Sequence, residues 1–360
     1  MNAAAAPYQT PASKKLEHDQ ELVAVRYSPC GKYLFGIGYQ PAVVRWSVEN
    51  DAKSLLAGHS GWIQGLAFHP DKIRMFSGDS WGGLRAWNYA DAAPAPLWTV
   101  QDAHRGWMRS VAISPDGAWL ATCASDRRIK LWSTSNGALQ REVATHTDDL
   151  FSVQFHPSGS ALVWGDMKGA LTHWDLAAGK VVRTMEARTL YLRPEGMSGI
   201  PEINDVGGVR GLTFDAGGKI LAAVGCQPLS SGFVQAKPTV ILFDWESGKV
   251  TQTLQLPDAN GNDGLAYEAL FHPAGYVAVA SSGQTGARGL WCWKLGEAAP
   301  LFVEQALPNC RSISLHPDGS RLAVAQTAMR PGALTGNVKA EKKGEYPGAM
   351  SYVHIFNTAG

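Results

Sequence analysis

The sequence predicts an all-β chain folded as a seven-bladed β-propeller of four-stranded antiparallel blades. Three observations predict it: a turn motif that recurs seven times, an aromatic landmark in step with the motif, and a composition rich in turn formers. Thirty-nine glycines and 20 prolines punctuate the chain, while 13 tryptophans and 45% apolar residues supply a core. Short strands joined by tight turns use such a composition.

The motif reads YSPCG at Tyr27, FHPDK at Phe68, ISPDG at Ile113 and FHPSG at Phe155, then FDAGG at Phe214, FHPAG at Phe271 and LHPDG at Leu315. Its proline position is an anchor: Pro29, Pro70, Pro115, Pro157, Ala216, Pro273 and Pro317. Successive anchors lie 41, 45, 42, 59, 57 and 44 residues apart. A four-stranded blade needs about 40–45 residues, so two repeats carry insertions. Trp46, Trp87, Trp132 and Trp174 each follow their anchor by 17 residues, and His18, His59, His104 and His146 precede it by 11. Trp245, Trp293 and Phe356 take the aromatic role in the later repeats, where Asp205, Asn262 and Ala306 stand in the histidine register.

With three landmarks in phase, the sequence resembles the WD40-repeat family from about residue 12 to residue 357. Trp174-Asp175 keeps the family's terminal dipeptide and Gly58-His59 its GH pair. The resemblance implies a structural tetrad of His104, Thr122, Asp126 and Trp132, in which the imidazole bridges an Asp and a strand hydroxyl toward the indole N–H. Repeated once per blade around a ring, such a set reads as architecture and not as a catalytic triad. Trp81 and Lys168 occupy the Asp position in the second and fourth repeats, and Asp79 or Asp166, two residues earlier, is expected to substitute through a shifted turn.

Each repeat reads as strands a to d. In the third they are Trp107–Ser114, Trp119–Ala124, Arg128–Trp132 and Leu139–Ala144. Apolar Met108, Val111 and Ile113 lie seven, four and two residues before the anchor. The step of three breaks the period of two and predicts a bulge early in strand a. Small residues five before the anchor (Gly65, Ser110, Ser152, Gly211, Ser312) suit inner strands that crowd a central channel. The seventh repeat reaches only a third strand at SYVHIF, so Ser13–Glu17 is expected to supply its fourth and close the ring. Residues 1–11 read as a flexible tail and 12–360 as one propeller domain.

Net charge of +1 gives no global attraction to nucleic acid. Five cysteines (Cys30, Cys123, Cys226, Cys292, Cys310) show no CxxC spacing, which argues against a disulfide framework or a thiolate metal site. No signal-peptide pattern and no apolar run of membrane length occur, so the expectation is a soluble, cytoplasmic protein. Phosphate-loop, zincin and nucleophile-elbow motifs are missing from the sequence. The HP histidines (His69, His156, His272, His316) read as turn residues. The reading assigns no catalytic residue, no metal ligand and no cofactor.

In an up-and-down blade the b–c and d–a connections emerge on one face. Three long connections, Ala187–Asp205, Cys226–Pro238 and Thr327–Met350, all belong to it. Long connections on a rigid scaffold are where binding resides. The same face is expected to carry the residues six before each anchor: Gln64, Arg109, Phe151, Arg210, Tyr267 and Arg311. Trp62 and Trp107 stand on its rim with Trp81 nearby, and the insertions add Tyr191, Arg193, Arg330, Lys342, Lys343 and Tyr346. Arginines among aromatic rings suit an acidic or phosphorylated peptide. The expected function is therefore a non-enzymatic scaffold binding a protein or peptide partner. The competing reading is a lactonase- or dehydrogenase-like propeller enzyme with a ligand or metal at the channel, which requires clustered acids or histidines on the inner strands.

Overall fold

The computed structural model describes residues 8–9, 11–191, 207–229, 236–257, 259, 264–282, 288–304, 306–329 and 349–358. Seven four-stranded antiparallel sheets hold almost all of the regular structure, each paired in the order a–b–c–d. The a strands are Leu22–Tyr27, Ile63–Phe68, Met108–Ile113, Leu150–Phe155, Gly211–Phe214, Leu265–His272 and Cys310–Leu315. Each packs beside the a strand of the next blade, the seventh beside the first, so the ring closes around a channel. The third repeat folds as Met108–Ile113, Trp119–Ala124, Arg128–Ser133 and Leu139–Thr145, within a residue of the expected spans.

The core lies between blades rather than within them. Phe76 and Leu84 of blade two pack with Met108, Leu120 and Trp132 of blade three, and equivalent clusters recur around the ring. A middle strand covered on both faces has no solvent side, which is why Leu120–Ala124 is buried without alternation.

The bulge is present in strand a of six blades. Register shifts fall at Leu22/Ala24, Ile63/Gly65, Met108/Ser110, Leu150/Ser152, Ala266/Glu268 and Cys310/Ser312. The residue passed over is in every case the one six before the anchor: Val23, Gln64, Arg109, Phe151, Tyr267 and Arg311. An extra residue in one strand re-aims the side chains beside it. Here it keeps Leu22, Ile63, Met108 and Leu150 fully buried between blades while turning their successors into the channel. The small residue five before the anchor recurs as expected except at Glu268. Its carboxylate lies 2.6 Å from Arg26 of blade one and accepts a 2.7 Å hydrogen bond from Ser312 of blade seven, tying three inner strands together.

The first residues complete the last blade. Lys14–His18 pairs antiparallel with the c strand Ala349–Asn357, from Lys14↔Ile355 to His18↔Ser351. Upstream, within the segment expected to be a tail, Tyr8 bridges to Thr358 and its ring is 1% exposed. It sits 5.0 Å from the ring of Phe302 and 4.9 Å from that of Phe356, so the chain start is fastened into blades six and seven.

The opposite face has its own links. His69 Nε2 meets the carbonyl of Gly117 at 3.0 Å, His156 that of Gly218 at 2.8 Å and His316 that of Gly31 at 2.9 Å. Each joins the a–b turn of one blade to that of the next. The glycines adopt positive φ there, and a Cβ on Gly117 would lie 2.4 Å from His69, so the turn needs glycine for both backbone and space.

Candidate partner-binding face

The tetrad forms as expected in blade three. The Trp132 indole donates to Thr122 Oγ1 at 2.8 Å, Thr122 lies 2.7 Å from His104 Nε2, and His104 Nδ1 lies 3.0 Å from Asp126. Donors run one way, from indole to hydroxyl to imidazole to carboxylate, which fixes the neutral tautomer with Nδ1 protonated. Blade two makes the same relay with Trp87, Ser77, His59 and Asp79, at 2.8, 2.6 and 2.7 Å. Asp79 substitutes through the shifted turn, its other oxygen accepting the N–H groups of Trp81 and Gly83 at 2.9 Å each. In blade one the hydroxyl position is Gly36, and a Cβ there would meet the Trp46 ring at 2.9 Å. In blade four it is Trp164, so His146 has no strand hydroxyl to meet. Blade six uses another indole than expected: Trp291, not Trp293, donates to a strand hydroxyl, that of Ser281 at 3.1 Å, and Trp293 donates to the Glu297 carbonyl.

Burial holds His59 and His104 below the ordinary histidine pKa despite their carboxylate partners, and burial brings His354 down to about 4. The unfolded chain takes up these protons near pH 6.5, whereas the folded one resists until lower pH. The unfolded state therefore binds more protons in between, and stability falls as pH drops. Burial would raise Asp79 and Asp126, but hydrogen bonds from the imidazoles and turn N–H groups hold them low, so their contribution is also lost in acid. The thermal midpoint at fixed ionic strength is expected to fall steadily from about pH 6.5 to pH 4. A midpoint that stays flat over this range would contradict the assignment.

These relays hold the rim on which the candidate site stands. Trp62 N–H donates to Ser80 at 3.0 Å and Trp107 N–H to Ser125 at 2.9 Å, so each d–a turn is pinned to the b–c turn beside it. Tyr39, Trp62 and Trp107 form a row with ring centroids 4.9 and 5.8 Å apart. All three are exposed, and Trp81 is 71% exposed beside them, lying over Gly61.

The row runs into the channel mouth. Arg109 lies 4.9 Å from the Trp107 ring and 5.5 Å from that of Phe151, whose ring is also approached by Arg210 at 4.0 Å. Arg311 stacks on Tyr267 at 4.5 Å and is tied to Glu21 at 3.0 Å. Gln64, Arg109, Phe151, Arg210, Tyr267 and Arg311 thus line one cavity of about 530 Å³. Burial depresses the pKa of Arg109 and of Arg210, and each guanidinium lies in the field of aromatic faces. The structure therefore brings the six expected mouth residues together and distinguishes them. Arg311 has a carboxylate partner, and two cations share the Phe151 ring.

Tyr191 follows a 3-10 turn at Arg188–Leu190 and is half-buried beside Lys168. Arg193, Arg330, Lys342, Lys343 and Tyr346 lie outside the described residues, as do most of the first and third long connections and residues 230–235 of the second, whose ends Cys226–Pro228 and Ala236–Pro238 extend the flanking strands. Among the described residues the cavity's lining includes one carboxylate, Glu268, which the Arg26 ion pair occupies. Sequence reasoning missed Tyr39, Glu21 and Arg26; Glu21 stands eight before its anchor, the register of Trp62 and Trp107, but carries a carboxylate where they carry a ring.

The family model "WD domain, G-beta repeat" matches residues 51–88 and 95–133. Telomerase protein component 1 of Rattus norvegicus is 28% identical over 84% of this chain and 10% of its own length. Protein groucho of Drosophila melanogaster is 28% identical over 46% of this chain and 23% of its own length. Target of rapamycin complex subunit wat1 of Schizosaccharomyces pombe is 25% identical over 43% of this chain and 49% of its own length. The chain thus spans a tenth of the first of these relatives and under half of the last two. With seven four-stranded blades, hydrogen-bonded tetrads in blades two and three, and WD40 repeats matched at residues 51–88 and 95–133, the chain is a seven-bladed propeller similar to the WD40-repeat proteins.

Proposed function

We propose that the chain is a non-enzymatic interaction scaffold of the cytoplasm that binds an acidic or phosphorylated segment of a protein partner at the channel mouth. The observation that carries this reading is the pair of guanidiniums, Arg109 and Arg210, that both approach the ring of Phe151, at 5.5 and 4.0 Å. Strand bulging points Arg109 there, and the adjoining Trp62–Trp107 row offers flanking apolar residues a surface. An anionic side chain inserted between the arginines gains charge-assisted hydrogen bonds while its neighbours cover the row. Similarity to a protein named as a complex subunit supports a role within an assembly.

The test is a peptide array carrying unmodified, acidic and phosphorylated sequences. A charge-assisted hydrogen bond contributes roughly 1.5–3 kcal/mol, so Arg109→Ala and Arg210→Ala should each weaken the selected peptide by about 10- to 100-fold. Arg311→Ala should have a smaller effect, because Glu21 already neutralises it. Folded Arg109 and Arg210 variants that bind the peptide like the parent would refute the proposal.

A further inference from the structure

Blade four departs from its neighbours at the top of the strands. In blades two and three the rim histidine meets its aspartate directly, His59 with Asp79 at 2.7 Å and His104 with Asp126 at 3.0 Å. In blade four His146 Nε2 and Asp166 Oδ2 stand 3.8 Å apart, beyond hydrogen-bond reach. The cause is local. Trp164 replaces the strand hydroxyl that receives the imidazole elsewhere, so His146 presents Nε2, not Nδ1, to the carboxylate. The Asp166 side chain is 3% exposed, and its Oδ1 accepts the N–H groups of Lys168 and Ala170 at 2.9 and 2.8 Å. Its Oδ2 accepts no hydrogen bond among the described residues and points at the imidazole.

Asp148 completes the group: one ligand atom from each of His146, Asp148 and Asp166 lies within 4.8 Å of the others. We propose that these three residues form a zinc site joining the d–a connection of blade four to its b–c turn. Zinc bonds to imidazole nitrogen and carboxylate oxygen are about 2.0–2.2 Å long, which sets two ligands of a tetrahedral ion about 3.3–3.5 Å apart. The 3.8 Å separation of His146 and Asp166 therefore needs only a slight closure. One imidazole with two carboxylates suits zinc, whereas calcium and magnesium are bound by oxygen donors.

The cation now beside Asp148 is Lys168, 2.8 Å away with its side chain 54% exposed. Its ammonium can swing into water when a divalent ion takes the carboxylate. The fourth coordination position opens on the same face as the channel mouth, since both connections emerge there.

The probe is zinc chloride titrated calorimetrically into the chelator-treated full chain, with the thermal midpoint as a second readout. The expected result is one saturable equivalent and a raised midpoint. Asp148→Asn and His146→Gln should each weaken binding at least tenfold, and Lys168→Met should strengthen it by removing the competing ammonium. Asp148 lies in the d–a turn with its side chain 20% exposed, so its variant reports on binding independently of the histidine variant. No saturable zinc binding, binding indifferent to Asp148→Asn, or calcium binding as tight as zinc would overturn the proposal.

Discussion

Removing residues 1–18 is expected to abolish the cooperative fold. The truncation deletes the fourth strand of blade seven, Lys14–His18, and leaves the c strand Ala349–Asn357 with an unpaired edge. It also withdraws Tyr8, which is 1% exposed between Phe302 and Phe356. An aromatic side chain of about 150–250 Å² contributes roughly 4–6 kcal/mol of gross burial at ~25 cal/mol/Å². Whole domains are stable by only about 5–15 kcal/mol, so losing the strand and its anchor together removes much of that margin. The truncated chain should show a broad, low thermal transition and elute as larger species, because an open edge pairs with other chains. Tyr8→Ala alone should destabilise by about 3–5 kcal/mol while the strand pairing persists. A truncated chain that melts like the parent and stays monodisperse would show that the inner-strand contacts, including Arg26 with Glu268, close the ring unaided.

The second large effect is expected at Trp132. Its indole is 3% exposed, packs between blades two and three, and donates into the Thr122–His104–Asp126 relay. Trp132→Ala creates a cavity and should cost about 3–5 kcal/mol in denaturant unfolding. Thr122→Val separates the two contributions. It preserves shape but leaves the indole N–H without its acceptor and His104 Nε2 without its donor, at about 1–3 kcal/mol for each stranded group. His146→Ala in blade four should cost far less, since His146 lacks a strand hydroxyl and stands 3.8 Å from Asp166. Equal losses at His104 and His146 would contradict the view that the relay, and not the histidine alone, holds a blade top in place.

Features repeated in register were legible in the sequence. The anchor proline, the tryptophan 17 residues on and the histidine 11 residues before it place the strands of the third repeat to within a residue. The broken apolar step at Met108 and Val111 predicts the bulge, and the bulge gathers the mouth residues. Gly-Asp before Trp81 signals the shifted turn that gives His59 its partner in Asp79. What was hidden involves single contacts between distant positions, which no local pattern encodes. Tyr8 reaches Phe356, Arg26 reaches Glu268 and Glu21 reaches Arg311 only because the ring has closed. The HP histidines look like turn residues, yet three of them bond to the neighbouring blade, because adjacent a–b turns lie side by side around the rim. The opened pair in blade four was masked too, since one substitution on strand b, Trp164, displaces a histidine that sits in perfect register.

The most direct test of the central claim is where a peptide selected on the array lands. Hydrogen exchange with and without that peptide should show protection concentrated at the starts of the inner strands and their preceding turns, at 62–65, 107–110, 150–152 and 209–211. The a–b turns at 69–74, 114–118 and 156–160 should exchange unchanged. Protection confined to those a–b turns, with the mouth unaffected, would place the partner on the opposite face and contradict the account.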